Sequence, residues 1–190
     1  MAEKRLIYLT SWRATVYTVR GSALEIGQTF ANDEEGYEAF AIYLRGLRKT
    51  LFYVLADVVE EDFHLETIPF VRFGDRRMLL RRRLAQRYRD TSLSLAISLG
   101  TEKTQRRDER VLLSSFTNTQ LFQPWLNVLR QSELPVAGVY SVALAAASLT
   151  KRLGHPKSPC LLVTLQPAGL RQTLVMDLSL IHISEPTRPY

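Results

Sequence analysis

The sequence predicts an α/β fold in which a mixed sheet is flanked by helices. Three β-rich segments open the 190-residue chain, and apolar strands then alternate with helix-forming stretches. The segment 51–56 is apolar throughout, as is typical of a strand covered on both faces. With 46% hydrophobic and 23% charged residues, the composition is that of a globular protein and excludes wholesale disorder.

The elements of the first half follow from their turn and cap residues. Short polar turns separate three β-rich stretches, so strands are expected at 5–11, 14–20 and 23–30. Asn32 or Asp33 then caps a helix that has two acidic residues in its first turn. Apolar residues recur at helical spacing in this helix, and the basic pair 48–49 closes it. Strands at 51–56 and 63–68 follow.

The second half alternates helices with further strands. A helix is expected at 75–89. The next helix begins at Asn118 or Thr119, and Pro124 is tolerable only in its first turn. An antiparallel strand pair is expected at 93–99 and 110–116, and a short strand at 135–139. An Ala-rich helix follows at 141–153, and a last strand pair lies at 159–165 and 170–176.

Basic residues concentrate in one short segment that is predicted to be an amphipathic helix. Residues 71–90 contain eight arginines, and the whole chain carries a net charge of +6. We expect an apolar arc formed by Met78, Leu80, Leu84, Ala85 and Tyr88. Arg77 and Arg81 fall within this arc, where a guanidinium needs a carboxylate or access to water. Five arginines are expected to form an interaction surface away from the arc: Arg76, Arg82, Arg83, Arg87 and Arg89.

Three interpretations of these arginines stay open. The first is a solvated basic face with internal ion pairs to the acidic residues at 57–62. The second is docking on an acidic protein or on an anionic membrane surface. The third is binding of nucleic acid, for which the segment offers few aromatic side chains that could stack on bases.

Few other side chains have the spacing of a catalytic or metal site. His64 and His155 lack a second ligand at metal spacing, so no metal site is expected. Cys160 is the only cysteine, which excludes an internal disulfide, and it is expected to be a small buried hydrophobe. Ser114 and Ser115 lie on a strand without the Gly-x-Ser-x-Gly turn of hydrolases.

Residues 178–190 resemble a translated transposase sequencing adapter. The residues from Leu178 to Arg188 follow the order that one reading frame of that adapter encodes. We therefore expect an artefact of cloning or assembly. The natural chain would then continue past Asp177, and the sequence would be an N-terminal fragment. The alternative is a genuine C-terminal strand with a polar tail.

Three segments carry a resemblance to a known superfamily: RVLLSSF at 110–116, LPVAGVYSVAL at 134–144 and CLLVTL at 160–165. Together with the order of the elements, they resemble the actin-like ATPase superfamily, whose lobes have an RNase H-like fold. The nearest likeness is to the PilM-like and GspL-like cytoplasmic proteins of type IV pilus and type II secretion inner-membrane platforms. The likeness spans roughly residues 5–177.

The resemblance implies two β-hairpins that bind nucleotide phosphates. Each would offer a carboxylate for the metal and water shell and backbone amides for the phosphates. The first hairpin lacks the Asp-x-Gly pattern and has Trp12 where glycine is wanted. The second has no aspartate, and Pro167 removes an amide donor. The residues that could still contact an anion are Thr10, Ser11, Arg13, Thr164 and Gly169.

The resemblance implies a first actin-like lobe at 1–154 and the start of a second lobe at 155–177, incomplete at its C-terminus. The missing carboxylates predict a degenerate, non-catalytic scaffold without a cofactor. The resemblance implies that this scaffold is located in the cytoplasm or at the inner face of the cytoplasmic membrane. A protein of an inner-membrane assembly is the expected partner. Two alternatives stay open: an ATPase that binds ATP and Mg through atypical loops, and a basic nucleic-acid-binding module.

Overall fold

The computed structural model describes residues 3–102, 106–152, 160–176 and 179–187. Its strands are β1 (Glu3–Thr10), β2 (Arg13–Arg20), β3 (Ala23–Ala31), β4 (Thr50–Asp57), β5 (Glu61–Ile68), β6 (Ser94–Thr101), β7 (Glu109–Phe116), β8 (Val136–Ser141), β9 (Cys160–Gln166), β10 (Gly169–Met176) and β11 (Ser179–Thr187). Its helices are α1 (Glu34–Arg45), α2 (Phe73–Arg87), α3 (Gln123–Gln131) and α4 (Val142–Arg152). The mixed sheet with flanking helices confirms the predicted fold class.

The first sheet has five strands in the order β3-β2-β1-β4-β8. β1 pairs antiparallel with β2 and parallel with β4, and β4 pairs parallel with β8. Parallel strands place their carboxyl ends at one edge of a sheet. Thr10 is in register with Asp57 at this edge, and Ala56 is in register with Ser141. Polar side chains therefore gather where β1, β4 and β8 end.

Helices α1 and α3 pack on this sheet and form the main core. Asp33 begins α1, because its carboxylate accepts a hydrogen bond from the Gly36 N–H at 2.8 Å. Phe40 from α1 and Trp125 from α3 are buried side by side, with ring centroids 5.3 Å apart. The Trp125 indole N–H also donates to Asn32 Oδ1 at 2.9 Å. The core thus joins residues that are far apart in the sequence.

The second sheet has the order β5-β7-β6 and lies between β4 and β8 in chain order. All of its strands pair antiparallel, as predicted for the pair at 93–99 and 110–116. A small core lies beneath α2 and is formed by Ile68, Leu80, Tyr88, Val111 and Leu113. On the other side Leu112 packs against Ala143 of α4. Helix α4 therefore connects the second sheet to the rest of the molecule.

The third sheet is antiparallel and has the order β11-β10-β9. Arg171, Thr173 and Val175 alternate along β10 and are buried, and α4 contacts this strand. The backbone of β11 lies within the segment 178–190, whose interpretation as a translated adapter stays a prediction. The predicted lobe boundary at 154 and His155 lie outside the described residues.

Two helix boundaries lie further from the prediction than the others do. α1 ends at Arg45 and not at 49, because the Gly46 N–H bonds to the Tyr43 carbonyl and tightens the last turn. The chain then turns back through Lys49, which has a φ of +54°. A 3₁₀ turn, Thr119–Leu121, precedes α3, so that Pro124 occupies the first turn of the helix, as expected. Within the described part of the chain, no helix is both long and apolar enough to cross a membrane.

Candidate functional site

Three ionisable side chains, one from each sheet, are buried together. They are Asp57 at the end of β4, Glu61 at the start of β5 and Arg171 on β10, and none is more than 3% exposed. Arg171 Nη2 lies 4.0 Å from Asp57 Oδ1, and Arg171 Nη1 lies 3.7 Å from Glu61 Oε1. Arg171 Nη2 also donates to the Val58 carbonyl at 2.9 Å. Two carboxylates thus share one guanidinium, in what we call the Arg171 cluster.

Neighbouring groups hydrogen-bond the two carboxylates. The Tyr8 hydroxyl donates to Asp57 Oδ2 at 2.7 Å, and the Ala168 N–H donates to the same oxygen at 3.2 Å. The Ser141 hydroxyl donates to Glu61 Oε2 at 2.6 Å. The other oxygen of each carboxylate has no hydrogen-bond partner among the described residues. Charge attraction to the guanidinium is therefore the interaction that these two oxygens make.

The surroundings of this cluster shift the pKa values of Glu61 and Tyr8. Burial raises the pKa of Glu61 to about 7, although the Ser141 hydrogen bond and the Arg171 charge oppose the rise. The negative charge of Asp57 raises it further. Burial and the hydrogen bond to Asp57 raise the pKa of Tyr8 well above its ordinary value, so Tyr8 stays a neutral donor. Glu61 therefore exchanges its proton near neutral pH.

The turn of the first predicted phosphate-binding hairpin is satisfied internally. Thr10 Oγ1 accepts hydrogen bonds from the N–H groups of Trp12 and Arg13, at 3.3 and 3.2 Å. The Thr10 hydroxyl donates to the Arg13 carbonyl, and the Ser11 carbonyl accepts from Asn32 Nδ2. The Trp12 side chain is 77% exposed. The two turn amides are therefore already bonded to a side chain of the same turn.

The turn of the second hairpin lies against the end of β4. Gly169 has a φ of +125°, which favours glycine, and it pairs with Gln166 across the turn. Thr164 is opposite Arg171 in the β9–β10 register. Through the Ala168 N–H, this turn contacts Asp57, which is itself in register with Thr10. The two hairpins thus approach each other with a carboxylate between them.

The prediction for the arginine-rich helix was wrong in its orientation. Arg76, Arg83 and Arg87 lie on the side of α2 that faces the second sheet and not on the opposite side. They form ion pairs with Glu109, Glu66 and Asp62, at 2.6, 3.2 and 3.0 Å. The pair with Glu109 uses both carboxylate oxygens and holds the pKa of Glu109 below its ordinary value. These three arginines are occupied within the protein.

The outward side of α2 carries residues that were assigned to the apolar arc. Met78, Ala85, Arg77 and Arg81 are all exposed, whereas Leu80 and Tyr88 are buried as predicted. Arg82 and Arg89 are exposed, and their place in an interaction surface stays a prediction. Of the carboxylates at 57–62, Asp62 pairs with α2, whereas Asp57 and Glu61 pair with Arg171.

A cleft opens between the second sheet and the first. Its volume is about 480 Å³, and its walls come from β6, β7, β8 and α4. β6 and β8 each form the edge of their sheet. Leu95 and Tyr140 present exposed apolar surface to the cleft, and several serines line it, among them Ser94 and Ser148. An extended peptide segment suits such a site, because strand edges offer unpaired backbone groups.

Arg171 and its partners were not recognised in the sequence as a site. The available signal was the alternation along β10, which puts Arg171 on the same face as Thr173 and Val175. An arginine at an inward position needs a buried carboxylate. The sequence could not identify Asp57 as that partner, because the contact depends on how the third sheet docks on the first.

Comparisons with known proteins show the fold. No family model and no curated protein matches the chain. One similar solved structure is described as the PilM-PilN type IV pilus biogenesis complex, with a TM-score of 0.66 and 13% identity over 94% of this chain. The chain spans 59% of the length of that protein.

Two further structures show the same likeness. One is the cytoplasmic domain of EpsL, described as an inner-membrane component of the type II secretion system of Vibrio cholerae. It has a TM-score of 0.53 and 14% identity, and the match covers 97% of this chain and 71% of that one. The other is a Bacteroides thetaiotaomicron protein of unknown function with an actin-like ATPase fold, with a TM-score of 0.56, 6% identity, and coverage of 98% and 71%. The order of its strands and helices and these likenesses show that the chain has an actin-like ATPase fold.

Proposed function

We propose that this chain is a non-catalytic actin-like scaffold of a bacterial pilus- or secretion-type assembly at the inner membrane. On this proposal it works in the cytoplasm and holds a protein partner. Residues up to 154 belong to the first lobe, and β9 and β10 begin the second. The proposal is supported by the likeness to structures described as the PilM-PilN complex and the EpsL cytoplasmic domain. The non-catalytic part of the proposal rests on the hydrogen bonds that already occupy the turn amides of the two hairpins.

The hairpin turns offer few free donors to a nucleotide. The Trp12 and Arg13 amides bond to Thr10, and the Ala168 amide bonds to Asp57. An incoming phosphate would have to break these bonds and approach the Asp57 carboxylate, which repels an anion. The Arg171 guanidinium would otherwise attract phosphate, but it is buried against Asp57 and Glu61. The arrangement therefore supports a scaffold in preference to an ATPase.

A nucleotide titration tests the non-catalytic part. We expect no change in melting temperature of the full chain at millimolar Mg-ATP. Ligand at about one hundred times its Kd would add about 2.7 kcal/mol, which corresponds to several degrees for a chain of this size. A saturable, magnesium-dependent rise would contradict the proposal. In that event Thr10→Val, which frees the Trp12 and Arg13 amides, should enlarge the rise if the hairpins bind the phosphates, whereas the exposed Gln172→Ala should leave it unchanged.

Crosslinking in cells tests the scaffold part. We propose that the partner contributes an extended segment to the cleft between β6 and β8. A photoreactive amino acid in place of Leu95 or Tyr140 should crosslink a component of a pilus or secretion assembly, identified by mass spectrometry. The same amino acid in place of the exposed Glu38 on α1 is the matched control. Equal crosslinking at all three positions, or crosslinking to unrelated proteins alone, would contradict the proposal.

A further inference from the structure

Helix α2 has two sides of different character. Its inward side packs Leu80 on the second sheet, and its inward-facing arginines are used in ion pairs. Because a helix advances 100° per residue, Arg77 and Arg81 follow one another along a row at i and i+4. Phe73 is the first residue of α2, where it is exposed although it lies seven residues before the inward-facing Leu80. Met78 and Arg82 form the adjoining row. We call these five residues the outward face of α2.

The outward face is positively charged and unpaired within the described residues. Arg77, Arg81 and Arg82 are exposed, and no ion pair joins them to a carboxylate in the part of the chain that the structure describes. Arg72 and Arg89 are exposed at the two ends of the helix and extend the same charge. Asp75, the one acidic residue of α2, is exposed on this side, three residues before Met78 and seven before Arg82. The arginines outnumber it, so the face has a net positive charge that a negatively charged surface would attract.

Large apolar side chains accompany these arginines. Phe73 is 91% exposed, and Met78 is 65% exposed. Phe73 also holds a φ of +45°, a conformation that is strained for a residue with a side chain. Phe70, just before the helix, is half exposed. An aromatic residue and a methionine beside arginines match the chemistry of a bilayer interface, where apolar groups enter the acyl boundary and guanidinium groups stay at the phosphates.

We propose that the outward face of α2 binds the surface of an anionic lipid bilayer. Phe73 and Met78 enter the headgroup region, and Arg77, Arg81 and Arg82 contact lipid phosphates. The cytoplasmic leaflet is anionic, and each basic residue near it contributes about a factor of five to binding. A folded partner would need a groove with acidic walls that fits this helix, whereas an anionic bilayer offers negative charge over its whole surface. Nucleic-acid bases need several stacking aromatics, and this face has Phe73 alone.

Vesicle flotation with the full chain tests this proposal. The vesicles contain phosphatidylcholine, either alone or with an equal part of phosphatidylglycerol. We expect binding to the anionic vesicles only, and weaker binding when salt rises from about 0.1 to about 1 M and shortens the Debye length. The triple variant Arg77→Gln, Arg81→Gln, Arg82→Gln should bind about 100-fold more weakly. Phe73→Ser with Met78→Ser should cost about tenfold.

A matched variant removes the same charge elsewhere. Lys4, Arg45 and Arg48 are exposed cations of β1 and the α1 region, and their triple change to glutamine should leave vesicle binding within about twofold. Circular dichroism checks that all variants fold. Equal losses in the two triple variants, absence of binding to anionic vesicles, or charge-dependent binding to polyglutamate or an oligonucleotide but not to vesicles would overturn the proposal. The vesicle assay contains neither nucleotide nor protein partner, so its result is independent of the proposed scaffold role.

Discussion

Glu61 is a buried acid whose ionisation opposes folding. Its pKa is about 7 in the folded protein against an ordinary value of 4.5, so between these two values the folded state binds more protons than the unfolded state. The contribution of Glu61 to stability is therefore full below about pH 4.5 and decreases as the pH rises to about 7. The loss amounts to about 3 kcal/mol at most, because one pKa unit corresponds to about 1.4 kcal/mol.

Glu61→Gln should remove this dependence on pH. Glutamine can still accept the Ser141 hydrogen bond, and Arg171 keeps Asp57 as its partner. We expect the free energy of unfolding of the variant, relative to the parent, to increase from pH 5 to about pH 7 and then to level off. Urea denaturation at several pH values measures this difference. The exposed Glu38→Gln is the control, and a Glu61→Gln difference that is constant or shrinks with pH would refute the prediction.

At the scale of single elements, the start of α1 depends on two residues with separate roles. Asp33 caps the helix, and Gly36 lies so close to the Ala31 carbonyl that a β-carbon could not fit there. Asp33→Ala should lower the free energy of unfolding by about 1 kcal/mol. Gly36→Ala should cost more, because the backbone itself must move. Thermal denaturation measures both, and a Gly36→Ala effect as small as that of the exposed Glu38→Ala would contradict this account.

β9 presents an apolar face to solvent. Leu161, Val163 and Leu165 alternate along it and are exposed, Leu165 to 83%. β9 is also the edge of its sheet, and exposed apolar edges favour association between chains. Leu165→Lys should therefore shift sedimentation profiles at high protein concentration toward the monomer. Gln28→Lys adds the same charge on the edge strand β3 and should not, so equal effects of the two would exclude β9 as the contact.

The orientation of α2 shows how a sequence pattern can be misread. The intervals from Leu80 to Arg76, Arg83 and Arg87 are four, three and seven residues, and all of these return to the same side of a helix. The correct side was therefore available from spacing alone. Spacing did not show that these three arginines form ion pairs with carboxylates on β5 and β7, because those pairs depend on strand register.

At the scale of the whole molecule, the Arg171 cluster holds the third sheet against the first. Removal of the guanidinium would leave two buried carboxylates without a cation, which typically costs about 3–5 kcal/mol. Arg171→Ala should therefore speed amide hydrogen exchange in β9 and β10, while β1 and β4 stay protected by their own core. Mass spectrometry of exchanged peptides measures this. Gln172→Ala is the control, and uniform acceleration in all three sheets would count against a local role.

The sequence predicted the described elements well and their assembly less well. Turns, the cap at Asp33 and the position of Pro124 are local features, so short patterns predict them. The division into three sheets and the burial of Arg171 depend on contacts between distant segments, which short patterns do not contain. The fold class was nevertheless accessible, because the order of strands and helices, together with three short segments, resembles the actin-like ATPase superfamily.

The insertion of the second sheet between β4 and β8 has a consequence for synthesis on the ribosome. β4 pairs with β1 as soon as both have emerged, but its other edge stays open until β8 follows. The intervening residues 58–135 take roughly 4–16 s to translate at about 5–20 residues per second. During that interval the nascent chain carries a parallel sheet with one bare apolar edge. A chaperone that binds strand edges could bind the unpaired edge of β4 during this interval, before β8 pairs with it.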